Sequence, residues 1–151
     1  MSTDAEAMTA AARPAWKLRA VGVVALLWNA MGAFDYLMTQ TRNADYMANF
    51  TPEQLDYFYG FPTWMTAAWA VAVWGGILGA VLLLMRKRLA EPVFLVSFLA
   101  MVLTTLYSYV LSNGVEVFDG VGSQVFSALI FAVALGLYLY ARRLRRRGVL
   151  A

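Results

Sequence analysis

The sequence predicts an all-α integral membrane protein: an antiparallel four-transmembrane-helix bundle with a short interfacial helix in its first outer loop. Three observations predict it. Hydrophobic residues make up 62% of the 151 residues and charged residues only 14%, against roughly 25% charged in a soluble domain. Four apolar stretches, at 20–40, 63–85, 89–112 and 122–141, each reach the ~20 residues that cross a hydrocarbon core of ~30 Å. The basic residues also fall on alternate connections, as they do when a chain crosses a bilayer repeatedly. Little sequence remains outside the spans, so the chain reads as one membrane domain over 1–151.

Residues 1–15, rich in Ala, Thr and Ser, read as a loosely ordered tail, and Trp16 as an anchor at the inner interface. The first span lacks a small-residue cleavage site and therefore reads as a span rather than a signal peptide. In the outer loop, Thr51 followed by Pro52 and Gln54 has the form of a capped helix start with proline in the first turn. Leu55, Phe58 and Tyr59 then share a face, which predicts the short interfacial helix. Tyr46, Phe50, Tyr57, Phe61 and Trp64 read as an aromatic belt at that depth.

Pro62 starts the second span. Ala68, Ala72, Gly76 and Ala80 recur every four residues within it, and Gly75 pairs with Gly79. Small residues at this spacing let another helix approach closely. Arg86, Lys87 and Arg88 form a tight turn, so the second and third spans make an antiparallel hairpin. Asn113-Gly114 and Asp119-Gly120 mark a turn-rich connection to the fourth span.

Charge sets the orientation. Arg13, Lys17 and Arg19 precede the first span, Arg86–Arg88 join the second to the third, and five arginines between 142 and 147 follow the fourth. Arg42 alone lies on the other side, with Asp45, Glu53, Asp56, Glu116 and Asp119. The positive-inside rule then places both termini, 1–18 and 142–151, in the cytoplasm. The arginine run reads as a headgroup anchor rather than a nucleic-acid site.

Absences narrow the chemistry. The chain has no cysteine and no histidine. This excludes disulfides, thiolate metal sites and cysteine nucleophiles, and it removes the commonest haem, zinc and copper ligands. No nucleophile–base pair or metal cluster is legible, so the chain reads as a non-enzyme with no cofactor and no metal site.

The polar residues that remain collect in the outer half. At ~1.5 Å per residue, Asn29 lies near the midplane and Asp35 about 24 Å from Arg19. Thr66, Thr104, Ser108 and Gln124 fall at levels similar to Asp35. Asp35, Asn29, Tyr36, Thr66, Thr104, Ser108 and Gln124, with Tyr107 beside them, are the candidate polar site, forming a recess open to the outside. Fifteen uncharged residues precede Asp35, and a carboxylate at this depth is costly unless it faces the bundle, water or a partner. Three roles stay open for it: a structural group paired with Arg42, a ligand- or proton-binding group, or a contact with another subunit. Asn29 reads as a hydrogen-bonding link between helices, and Trp28, Trp69 and Trp74 as packing or lipid-facing residues rather than a cofactor box.

The stretches Trp28-Asn29-Ala30-Met31-Gly32, Pro62-Thr63-Trp64-Met65-Thr66-Ala67-Ala68, Gly75-Gly76-Ile77-Leu78-Gly79 and Arg86-Lys87 together carry a resemblance. They resemble a family of small bacterial four-span inner-membrane proteins whose members are often described as sugar transporters. The resemblance covers most of 20–112, while the fourth span shares only hydropathy. It implies a bacterial inner-membrane location and transfers no catalytic residue.

Two functional expectations follow. The lack of redox ligands, the small-residue face and the modest loops fit an accessory or assembly subunit of a larger membrane complex. The alternative is a small solute transporter or solute-binding membrane protein working as a homodimer around Asp35 and Asn29. The expected partners are the lipid bilayer and either other membrane subunits or a second copy of the chain, with no nucleic acid.

Overall fold

The computed structural model describes the backbone of residues 2–151 and the side chains of 16–151. Seven α-helices and one π-helical turn account for the fold, and no strand occurs among the described residues. The helices are α1 (Ser2–Gln40), α2 (Ala44–Met47), α3 (Pro52–Tyr59), α4 (Thr63–Leu84), α5 (Ala90–Leu106), α6 (Gly114–Val117) and α7 (Val121–Arg146). The π-helical turn, Tyr107–Leu111, prolongs α5. Four stretches are long and apolar enough to cross a membrane: Trp16–Gln40, Thr63–Leu84, Ala90–Leu111 and Val121–Arg146.

Two boundaries differ from the sequence reading. Helix α1 extends to Ser2 in place of the loose tail expected for 1–15, whose side chains lie outside the described residues. Helix α7 continues through the arginines to Arg146 rather than stopping near 141. Arginine is a good helix former, and cations at a helix C-terminus complement its dipole.

The helix ends explain the turns. At α3, the Thr51 hydroxyl accepts from the Gln54 amide while the Gln54 side chain accepts from the Thr51 amide, a complete capping box. Helices α1, α4 and α7 end alike. Asn43 N–H donates to Met38 O, Lys87 N–H to Leu82 O and Val149 N–H to Leu144 O, each at about 3 Å. The residue before each donor sits in the left-handed region: Arg42 at φ 51°, Arg86 at φ 56° and Gly148 at φ 75°. This is the Schellman termination, at which glycine is usual.

The four long helices stand in the order α1, α4, α5, α7, each packed on the next. Residues in contact run in opposite senses along each neighbouring pair: Gly22 with Leu84 and Gly32 with Val73, then Gly79 with Phe94 and Gly75 with Ser97. Phe98 meets Phe131 edge-on, and Glu91 pairs with Arg145. The row is therefore antiparallel throughout. Helices α1 and α7, at its two edges, make no extensive contact with each other among the described residues.

The expected small-residue face of α4 divides into two seams. A Cβ on Gly76 would lie 1.9 Å from Asn29 Oδ1 on α1, whereas one on Gly79 would lie 2.6 Å from the Phe94 ring on α5. Gly75 faces Ser97, also on α5. Ala68, Gly76, Gly79 and Ala80 are buried, and Ala72 is half-buried. These small residues are consumed inside the chain.

One tightly packed cluster fills the basic end. Leu18 and Ala25 of α1, Ala80 and Leu83 of α4, Ala90 and Phe94 of α5, and Ala141 and Leu144 of α7 meet there. Leu150 joins them, because residues 149–151 fold back onto the turn between α4 and α5. Arg88 N–H donates to Ala151 O at 3.0 Å, and Ala151 N–H to Arg86 O at 2.8 Å. Leu18, Leu83 and Leu150 are at most 1% exposed.

Candidate functional site

At the opposite, loop end the four helices enclose a cavity of about 800 Å³, at the upper end of the range for small-molecule sites. Trp28, Asn29, Gly32 and Asp35 of α1 form one wall, and Ser123, Gln124, Ser127 and Ile130 of α7 the facing one. Ser97, Met101, Thr104 and Ser108 of α5, with Trp69, Ala72 and Val73 of α4, form the back. Across the front, where α1 and α7 part, Trp28 and Phe126 approach to 6.2 Å between ring centroids.

Aromatic rings from the loops roof the cavity. Tyr46, Phe50, Tyr57, Phe58, Phe61 and Phe118 all line it, and they form a continuous chain of contacts at 5.2–6.1 Å. The sequence reading placed Tyr46, Phe50, Tyr57 and Phe61 in an interfacial belt; here they turn inward instead. The cause is the backbone: α2 and α3 fold over the bundle, so the apolar face of α3 meets Trp69 and Phe118. Trp64 stays 44% exposed and packs edge-on to Tyr107.

Two hydroxyl contacts hold the roof in place. Tyr57 reaches Ser112 Oγ at 2.9 Å and Ser108 Oγ at 3.4 Å. Ser112 Oγ donates to Tyr107 O at 2.8 Å, closing the π-helical turn. Such turns are frequent at functional sites; this one carries Ser108 and Tyr109 into the cavity lining.

The structure gathers five of the seven candidate polar residues around this cavity. Asn29, Asp35, Thr104, Ser108 and Gln124 line it, whereas Tyr36 and Thr66 do not. Tyr36 follows Asp35 by one residue, about 100° around the helix, and its ring packs edge-on against Trp69 at 5.1 Å. Tyr107 likewise lies outside the lining.

The carboxylate of Asp35 accepts a hydrogen bond from the Tyr46 hydroxyl. The expected Asp35–Arg42 pair does not form. Seven residues apart, the two would share a face of a continuing helix, but α1 ends at Gln40. The left-handed turn at Arg42 directs its guanidinium over the Tyr59 ring, 4.1 Å from the centroid. Burial pushes the Tyr46 hydroxyl up to about 12, helped by the hydrogen bond and the negative charge of Asp35.

Several other lining groups already have partners. Ser97 Oγ donates to Ala72 O at 2.6 Å and Thr104 Oγ1 to Met101 O at 2.8 Å. Asn29 Nδ2 donates to Ala25 O at 2.8 Å on its own helix, and Tyr109 donates to Gln124 Oε1 at 3.0 Å. The sequence reading missed Tyr46 because its partnership with Asp35 crosses a turn that helical periodicity does not bridge. It missed the roof because aromatic spacing alone does not distinguish an inward face from a lipid-facing one. The chain matches no family model, no curated protein and no solved structure.

Proposed function

We propose that the chain is a multi-pass bacterial inner-membrane protein that binds a small, largely apolar solute in a cavity running from the loop end of its bundle inward as far as Leu137. The cavity of about 800 Å³ carries this reading: it lies within a single chain and combines aromatic walls with a few convergent polar groups, the usual form of a small-molecule site. The four apolar helices support insertion in a bilayer. The concentration of Lys and Arg at one end supports cytoplasmic termini, and the resemblance stated above supports the bacterial inner membrane. Reporter fusions at Ala48 and Arg147 are expected to report opposite compartments; the same compartment for both would overturn the topology.

The accessory-subunit reading predicts a different outcome on purification. Native mass spectrometry after mild-detergent extraction is expected to find a bound small molecule in the wild type. The same measurement on Ala134→Phe, which projects a ring into the cavity from α7, should find less. Recovery within a stoichiometric large assembly, with no small molecule in either protein, would overturn solute binding in favour of the accessory subunit.

A further inference from the structure

Resting on the solute-binding reading, we propose that the solute is a protonated primary or secondary amine on an apolar body, with Asp35 as its counterion. The charge balance of the cavity points there. Asp35 lines it, and among the described residues its carboxylate receives one hydrogen bond, from Tyr46. No cation among the described residues pairs with it: Arg42, the basic residue nearest in sequence, lies over Tyr59, and the ion pair found among the described residues is Glu91 with Arg145 at the other end. A carboxylate removed from bulk water is costly unless it is paired.

The hydrogen-bonding sense of the lining agrees. Ser97 and Thr104 spend their hydrogens on backbone carbonyls, so both offer only lone pairs to a guest. The Ser108, Ser123 and Ser127 hydroxyls, the Gln124 amide nitrogen and the second amide hydrogen of Asn29 remain as donors. Among the described residues Asp35 has no cationic partner, and an ammonium group would supply that charge together with N–H donors to the carboxylate. The rings of Phe34, Tyr46 and Phe50 stand in sequence beside the carboxylate, at 5.7 and 5.9 Å from one to the next. Their faces favour a cation over a neutral group, and the apolar body would occupy the space toward Trp28, Phe126 and Ile130.

The test is a matched pair of probes, 4-phenylbutylamine and 4-phenylbutan-1-ol, titrated by calorimetry into the detergent-purified protein. The amine is expected to bind the wild type at least tenfold more tightly than the alcohol. Asp35→Asn should abolish that preference while leaving alcohol binding within about twofold. Equal affinities in the wild type, or an undiminished preference in Asp35→Asn, would overturn the amine assignment and leave the solute-binding reading standing. Failure of both probes to bind the wild type would overturn the two together. The wild-type comparison decides by itself if Asp35→Asn does not fold.

Discussion

The two ends of this bundle are built from the same four helices and differ in what lies between them. At the basic end, alanines and leucines from α1, α4, α5 and α7 meet with nothing left open, and the backbone of 149–151 closes the seam against 86–88. At the loop end the helices part around a cavity, and a roof of aromatic rings takes the place of direct helix contact. At the packed end alanines alternate with leucines and Phe94, whereas Trp28, Trp69 and Met101 line the cavity together with polar groups. The solid end fixes the geometry that the hollow end uses.

That contrast breaks most visibly under truncation. Leu83→Ala, at a site with no exposure, is expected to cost about 4–5 kcal/mol, near the top of the range for buried leucine truncation. Val133→Ala, on the cavity lining, should cost about 1 kcal/mol, since one wall of that residue already faces open space. Denaturant titration in mixed micelles measures both, and equal losses would contradict the distinction between the ends.

Enlargement should keep the same order. Gly76→Leu drives a side chain into Asn29 and is expected to cost about 3 kcal/mol, the upper end for overpacking. Ala134→Phe expands into the cavity and should cost under about 1 kcal/mol, as should Val81→Leu on the outer face of α4. A stable Gly76→Leu would show that the α1–α4 seam is loose.

How much of this was legible in the sequence follows from the range of each signal. The four long helices were legible because twenty-residue apolar runs and the clustering of arginine are local patterns. The capping box at Thr51 and Gln54 was equally local. Asn29, Asp35, Thr104, Ser108 and Gln124 could be placed at a common depth from helix rise alone. Their direction around each helix could not, which is why Tyr36 and Thr66 were grouped with them. The Tyr46–Asp35 contact and the inward roof depend on how α2 and α3 fold back, and no periodicity encodes that return.

Thr39 provides a smaller test at the loop end of α1. It is 2% exposed and its hydroxyl has no hydrogen-bond partner among the described residues. Thr39→Val keeps the shape and removes an unsatisfied buried group, so it should stabilise the protein by about 1 kcal/mol. A loss of that size would mean that the hydroxyl is bonded in the membrane-bound protein.

The smallest expected effect is spectroscopic. The Tyr46 hydroxyl is raised from 10.0 to about 12. A raised folded value means that its contribution to stability is whole below pH 10 and is lost as the pH climbs toward 12. In an alkaline absorbance titration, the difference between wild type and Tyr46→Phe should show one phenolate forming near pH 12. Asp35→Asn should move that step downward, and an unshifted step would show that Tyr46 does not feel Asp35.

The contrast between a packed basic end and a hollow loop end is tested most directly by chemical access. The chain has no cysteine, so single introduced thiols report without background. Thr104→Cys, on the cavity lining, is expected to react with the small, membrane-permeant N-ethylmaleimide added to intact cells. Ala80→Cys, fully buried in the basic-end cluster, should stay unmodified from either side of the membrane. An unreactive Thr104→Cys, or equal labelling of the two, would contradict the account.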